Sequence, residues 1–148
     1  MPKLKTFLAL DGADRLATIE AIGFLLYAKW LVAMIPARRW RSRFGSVGRQ
    51  PATQMTEGNV STVRRTRLAI ARALRNVPGA PNCLPQALAA RWMLERRHIA
   101  SDLFIGIQRA EGEPPHFHAW LKVGEEWVTG LCDETRYTLF VAGDAEPA

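Results

Sequence analysis

Two side chains in this 148-residue sequence, Cys83 and His118, have the types and spacing for nucleophilic chemistry. Cys83 follows Pro78-Gly79-Ala80-Pro81, which cannot be helical, and Asn82, a good N-cap; helix formers continue from it as far as His98. It therefore falls in the first turn of a helix, where unpaired backbone N–H groups and the positive end of the helix dipole favour a thiolate, the attacking form. His118 lies in Phe117-His118-Ala119-Trp120-Leu121-Lys122-Val123, whose alternation reads as a strand. A thiol at a helix start and an imidazole on a following strand are the two parts of a thiol hydrolase or acyl transferase, the imidazole taking and returning the thiol proton. His116 shares the strand face of His118 but adjoins the Pro114-Pro115 loop, and His98 suits a helix C-terminal cap. The competing reading is structural, with Cys83 a small buried hydrophobe and His118 a surface strand residue. Cys83, Cys132, His116 and His118 contain no close pair with structural-zinc spacing, so neither a metal nor a cofactor is expected.

The elements that must position these residues follow from hydrophobic periodicity. Asp11 is a plausible N-cap for a helix running to about Met34, with Leu16, Ile19, Gly23, Leu26, Tyr27, Trp30 and Met34 on one face and Phe24, Leu25 and Leu31 making the rest apolar. Such a helix is either buried or presented to a partner. A basic segment with interleaved aromatics follows, Arg38-Arg39-Trp40-Arg41-Ser42-Arg43-Phe44, and then a Gly, Ser, Gln, Pro and Thr stretch without apolar period. A second helix should begin near Ser61, with Val63, Ile70, Leu74 and Val77 on its stripe. Past the Cys83 helix, Leu103, Ile105 and Ile107 alternate with Phe104 and Gly106 as a strand, the His118 strand follows, and Glu126-Trp127-Val128-Thr129 pairs with it through the Gly124-Glu125 turn. A last strand is expected within 137–141. Helices first and an antiparallel sheet afterwards make an α+β fold. The implied organisation is an N-terminal helical arm over 1–45, a loop or linker over 46–60, the cysteine-bearing domain over 61–141 and a tail over 142–148.

Composition narrows the classes. With 48% hydrophobic residues the chain can bury one sizeable core. Twenty basic against fourteen acidic residues give a net charge of +6, but no nucleic-acid motif accompanies the excess, so nucleic acid is not an expected partner. Two cysteines without a secretory signal fit a reducing, cytoplasmic setting. The apolar window from Ile19 to Ile35 contains Glu20 and Lys29 and stops at Pro36, which reads as too short and too charged to span a membrane; contact with a membrane surface is not favoured.

The wording of the sequence adds a resemblance. Cys83-Leu84-Pro85-Gln86-Ala87-Leu88-Ala89-Ala90-Arg91-Trp92-Met93-Leu94-Glu95-Arg96-Arg97, then Leu103-Phe104-Ile105-Gly106-Ile107, His118-Ala119-Trp120-Leu121 and Arg136-Tyr137-Thr138, resembles the transglutaminase-like leader peptidase of lasso-peptide biosynthesis, the peptidase half of the B protein. The resemblance covers about Ser61 to Phe140 and implies a papain- or transglutaminase-like core. It further implies that Cys83 cleaves a leader from a ribosomally made precursor peptide, with His118 as general base and later acid. A separate leader-recognition protein would present the precursor, and a lasso cyclase would close the ring. The family's third catalytic residue, an Asp about a dozen residues past the histidine, falls on Gly130 here. Asp133 is the expected substitute, with Glu134 or a bare Cys-His dyad as alternatives. A precursor-binding or scaffold protein without catalysis is the other reading that Gly130 suggests.

Overall fold

The computed structural model describes residues 2–36, 39 and 56–139. The basic segment over 38–44 apart from Arg39, most of the expected linker, the end of the last expected strand and the tail lie outside the described residues. The helices are α1 (Pro2–Leu8), α2 (Gly12–Met34), α3 (Glu57–Leu74) and α4 (Cys83–Glu95); the strands are β1 (Asp102–Gln108), β2 (His116–Val123), β3 (Glu126–Thr129) and β4 (Thr138–Leu139). A 3₁₀ turn at Glu134–Arg136 precedes β4. The strands form one antiparallel sheet in the order β3-β2-β1-β4, so the fold is α+β, as expected.

α2 starts where its sequence says it should, with Asp11 accepting a hydrogen bond from the Asp14 amide at 2.7 Å. Its inward face differs from the expectation. Ala17, Ala21, Leu25, Ala28 and Leu31 are buried, while Leu16 is 69% and Trp30 52% exposed, with Ile19, Leu26, Tyr27 and Met34 also outside. Alanines let α2 lie close against α3 and α4, and the larger side chains are left on the side away from them. Those residues join Val63, Ile70, Leu88, Met93, Leu94, Leu103, Leu121 and Val123 in a single core, so the helical arm and the cysteine-bearing region share one interior. Among the described residues, α2 is the one helix long and apolar enough to cross a membrane by length and composition, against the expectation that this stretch is too short; a third of its most apolar window is buried within the fold.

α3 begins at Glu57, four residues before the expected start and inside the expected linker. Thr56 takes the N-cap position and Glu57 puts a negative charge in the first turn, which outweighs the helix-weakening Gly58. α2 and α4 are also joined electrostatically. Arg97 donates to both carboxylate oxygens of Glu20, at 3.1 and 2.7 Å, and Arg96 adds a third bond at 3.0 Å. The Glu20 side chain is only 13% exposed, so its removal leaves two guanidinium groups without their acceptor. Glu20→Ala should lower unfolding stability by about 1–3 kcal/mol. Urea denaturation followed by circular dichroism measures this directly.

Candidate active site

Cys83 is the first residue of α4, and the chain entering it is held from three sides. Gly79 and Ala80 both adopt the left-handed conformation, with φ of 76° and 36°. Lys29 of α2 donates to the Pro78 carbonyl at 2.7 Å, and Gln86 reaches back from α4 to the Pro81 carbonyl at 2.8 Å. Asn82 occupies the N-cap position, but its side chain makes no capping bond. The amides of Cys83 and Leu84 have no carbonyl one turn earlier in the helix, and Pro85 has no N–H at all, so two donors are left at the helix start that carries the thiol. Cys83 itself is half-buried against the core.

His118 sits in β2 opposite Gly106 of β1. Its ring is stacked on Trp120, with centroids 5.8 Å apart, and packed against Tyr137 at 5.5 Å. Gly106 makes room for this cluster: a Cβ there would come within 2.7 Å of Tyr137 Cβ and 3.0 Å of the Trp120 ring. Trp120 is 1% exposed, and its indole N–H donates to Glu134 Oε1 at 2.9 Å. Lys122, the next residue on this face, lies 3.6 Å from the same Glu134 oxygen and 4.9 Å over the Trp127 ring.

The residue that holds the imidazole is Gly130. His118 Nε2 lies 2.7 Å from the Gly130 carbonyl oxygen. A carbonyl only accepts, so the proton sits on Nε2 and, in the neutral ring, Nδ1 carries the lone pair of a base. Gly130 is at φ 74°, and a Cβ on it would meet Ala119 O at 2.5 Å and Trp120 Cβ at 2.8 Å. At the position where the resemblance leads one to expect a carboxylate side chain, a main-chain carbonyl meets the ring. The glycine is legible in the sequence but the role of its carbonyl is not, because a backbone acceptor leaves no residue type to recognise.

Asp133 is placed otherwise. Its carboxylate accepts from the Thr135 amide at 3.1 Å and the Thr135 hydroxyl at 2.6 Å, capping the 3₁₀ turn, and these bonds hold its carboxyl below the ordinary range. Glu134 serves Trp120, not His118. His116 is exposed, and His98 lies in the turn after α4, in the left-handed conformation at φ 57°. No hydrogen bond joins Cys83 to His118 among the described residues. Strand alternation accounts for this: α4 shares its core with Ala119, Leu121 and Val123, whereas His118 shares the other face with Trp120 and Lys122. Among the described residues no group of three or more His, Cys, Asp or Glu side chains is arranged to hold a metal ion.

The second cysteine provides an internal comparison. Burial, followed by the charges of Glu134 and Asp133, pushes the Cys132 thiol up from its ordinary range, and Lys122 opposes them only in part. Cys132 therefore carries less thiolate than an ordinary cysteine at neutral pH. Brief iodoacetamide treatment near pH 7, read by peptide mass spectrometry, should label Cys83 ahead of Cys132, and labelling of Cys132 should rise on going to more alkaline pH. Equal labelling at pH 7 would remove the distinction between the two thiols.

Residues 25–142 match the family model described as the transglutaminase-like superfamily. No curated protein and no solved structure gives a significant match.

Proposed function

This chain belongs to the transglutaminase-like superfamily, which includes cysteine peptidases, and from that membership we propose that it is a cysteine peptidase removing the leader from a ribosomally synthesised precursor peptide, as in lasso-peptide biosynthesis. The observation that carries the reading is the Gly130 carbonyl on His118 Nε2, which leaves Nδ1 as the basic nitrogen. In this reading Nδ1 takes the Cys83 thiol proton as Sγ bonds to the scissile carbonyl carbon. The amides of Cys83 and Leu84 receive the oxyanion. Collapse breaks the C–N bond, and His118 returns its proton to the leaving amine. Water then attacks the thioester carbonyl, giving a proton to Nδ1; the C–S bond breaks, Nδ1 returns that proton to Sγ, and the carboxylic acid leaves with the thiol restored. Because Cys83 and His118 lie on opposite faces of β2 at rest, this reading requires the start of β2 or the Cys83 end of α4 to rearrange around the bound precursor before Sγ and Nδ1 can meet. Asp133 has no direct part, since its carboxylate is engaged with Thr135.

The partners are the precursor, a separate leader-recognition protein and a lasso cyclase, with the reaction in the cytoplasm. The separation of Cys83 from His118 favours one alternative, a precursor-binding protein on the same fold. Incubating the purified chain with precursor and recognition protein, and following leader release by mass spectrometry, decides between them. Release that disappears in Cys83→Ala supports the peptidase. An intact precursor, together with peptide maturation in cells carrying Cys83→Ala, supports the binding protein.

A further inference from the structure

Away from the Cys83 end of α4, a cavity of about 270 Å³ opens between α1, α2 and the C-terminal end of α3. Lys3, Arg72 and Arg75 line it together with Asn76, Phe7 and Leu10, and among the described residues no acidic side chain does. Cations at a helix C-terminus ordinarily serve the last carbonyls. Arg75 does so through Nε, which donates to Ala71 O at 3.4 Å, and Asn76 Nδ2 takes Arg72 O at 2.9 Å, but Arg72 is not used in this way. Arg72 Nη1 is withdrawn from water and has no hydrogen-bond partner among the described residues. A guanidinium nitrogen without water or an acceptor is costly, and three cations around one cavity repel one another. An oxyanion in the cavity would remove both penalties.

We propose that this cavity is a binding site for a phosphate group, held by Arg72 with Lys3 and Arg75. A phosphate dianion fits three cations better than a single carboxylate does, and its oxygens match the planar donor fork of arginine. The volume admits the phosphate and a small organic group attached to it. Leu4 and Leu8 stand exposed one turn apart on α1, so the phosphate can belong either to a soluble compound or to a lipid headgroup.

The test uses the full chain. Inorganic phosphate, titrated at constant ionic strength against chloride, should raise Tm saturably, by roughly 5–10 °C at about a hundred times Kd. In Arg72→Met this rise should be lost. In chloride alone the variant should melt no lower than the wild type, because the group removed has an unsatisfied nitrogen. Should Arg72→Met fail to fold, Lys3→Glu, at an exposed position, should abolish the phosphate shift instead. Sedimentation with vesicles of phosphatidic acid, a phosphomonoester, and of phosphatidylglycerol, a phosphodiester, separates the two sources: capture by the first alone, lost in the same variants, identifies a headgroup, and a phosphate shift without capture identifies a soluble ester. A Tm that climbs linearly and equally in wild type and variant is general salt stabilisation and overturns the proposal. So does the absence of both a phosphate shift and vesicle capture.

Discussion

If the chain is the proposed leader peptidase, His118→Ala should lower the rate of leader release by about 10²–10⁴-fold, and Cys83→Ala should reduce it to background. The asymmetry is chemical. Without His118 the thiol proton can still pass to hydroxide, so residual cleavage should climb with pH; without Cys83 no nucleophile remains at the helix start. Single-turnover assays of both variants across neutral to alkaline pH measure this. Asp133→Asn is the matched control. Its carboxylate is bound to Thr135, so cleavage should stay within about twofold of wild type, and adding it to His118→Ala should cost nothing further. A loss with Asp133→Asn comparable to that of His118→Ala would make Asp133 the orienting acid and displace the Gly130 carbonyl from that role.

Gly130→Asp supplies the carboxylate expected of the family and should nonetheless abolish cleavage and destabilise the fold by about 3 kcal/mol or more. A left-handed residue with a Cβ costs about 1–2 kcal/mol before any contact is counted. That Cβ would also stand 2.5 Å from Ala119 O and 2.9 Å from Trp120 Cα, and backbone inside a sheet has little freedom to withdraw. Moving Gly130 away also removes its carbonyl from His118. Urea denaturation and cleavage measured on the same preparation test the two effects together. Full stability with faster cleavage would mean that this strand end can rearrange to accept an acid.

The sequence made some of this legible and hid the rest for identifiable reasons. Asp11 as a cap, Cys83 at a helix start and the Glu126–Thr129 strand were readable because each depends on neighbouring residues alone. The inward face of α2 was not readable from hydropathy, since close packing selected alanines over the larger residues. Asn82 was correctly placed as N-cap, but its lack of a side-chain bond depends on the rotamer, which no residue pattern specifies. The imidazole's partner escaped for a different reason. The sequence offers acid side chains at Asp133 and Glu134, while the observed acceptor is a carbonyl that every residue carries, held on the ring by a left-handed turn at Gly130.

Over evolutionary time α2 can drift freely on one side only. Leu16, Ile19 and Met34 face outward, so exchanging them for polar residues leaves the interior as it is. Enlarging Ala17, Ala21 or Ala28 pushes α2 off both helices beneath it, a cost of about 1–3 kcal/mol each. Divergent versions of this chain should therefore scatter along the stripe of greatest hydropathy and hold to small residues along the inner one.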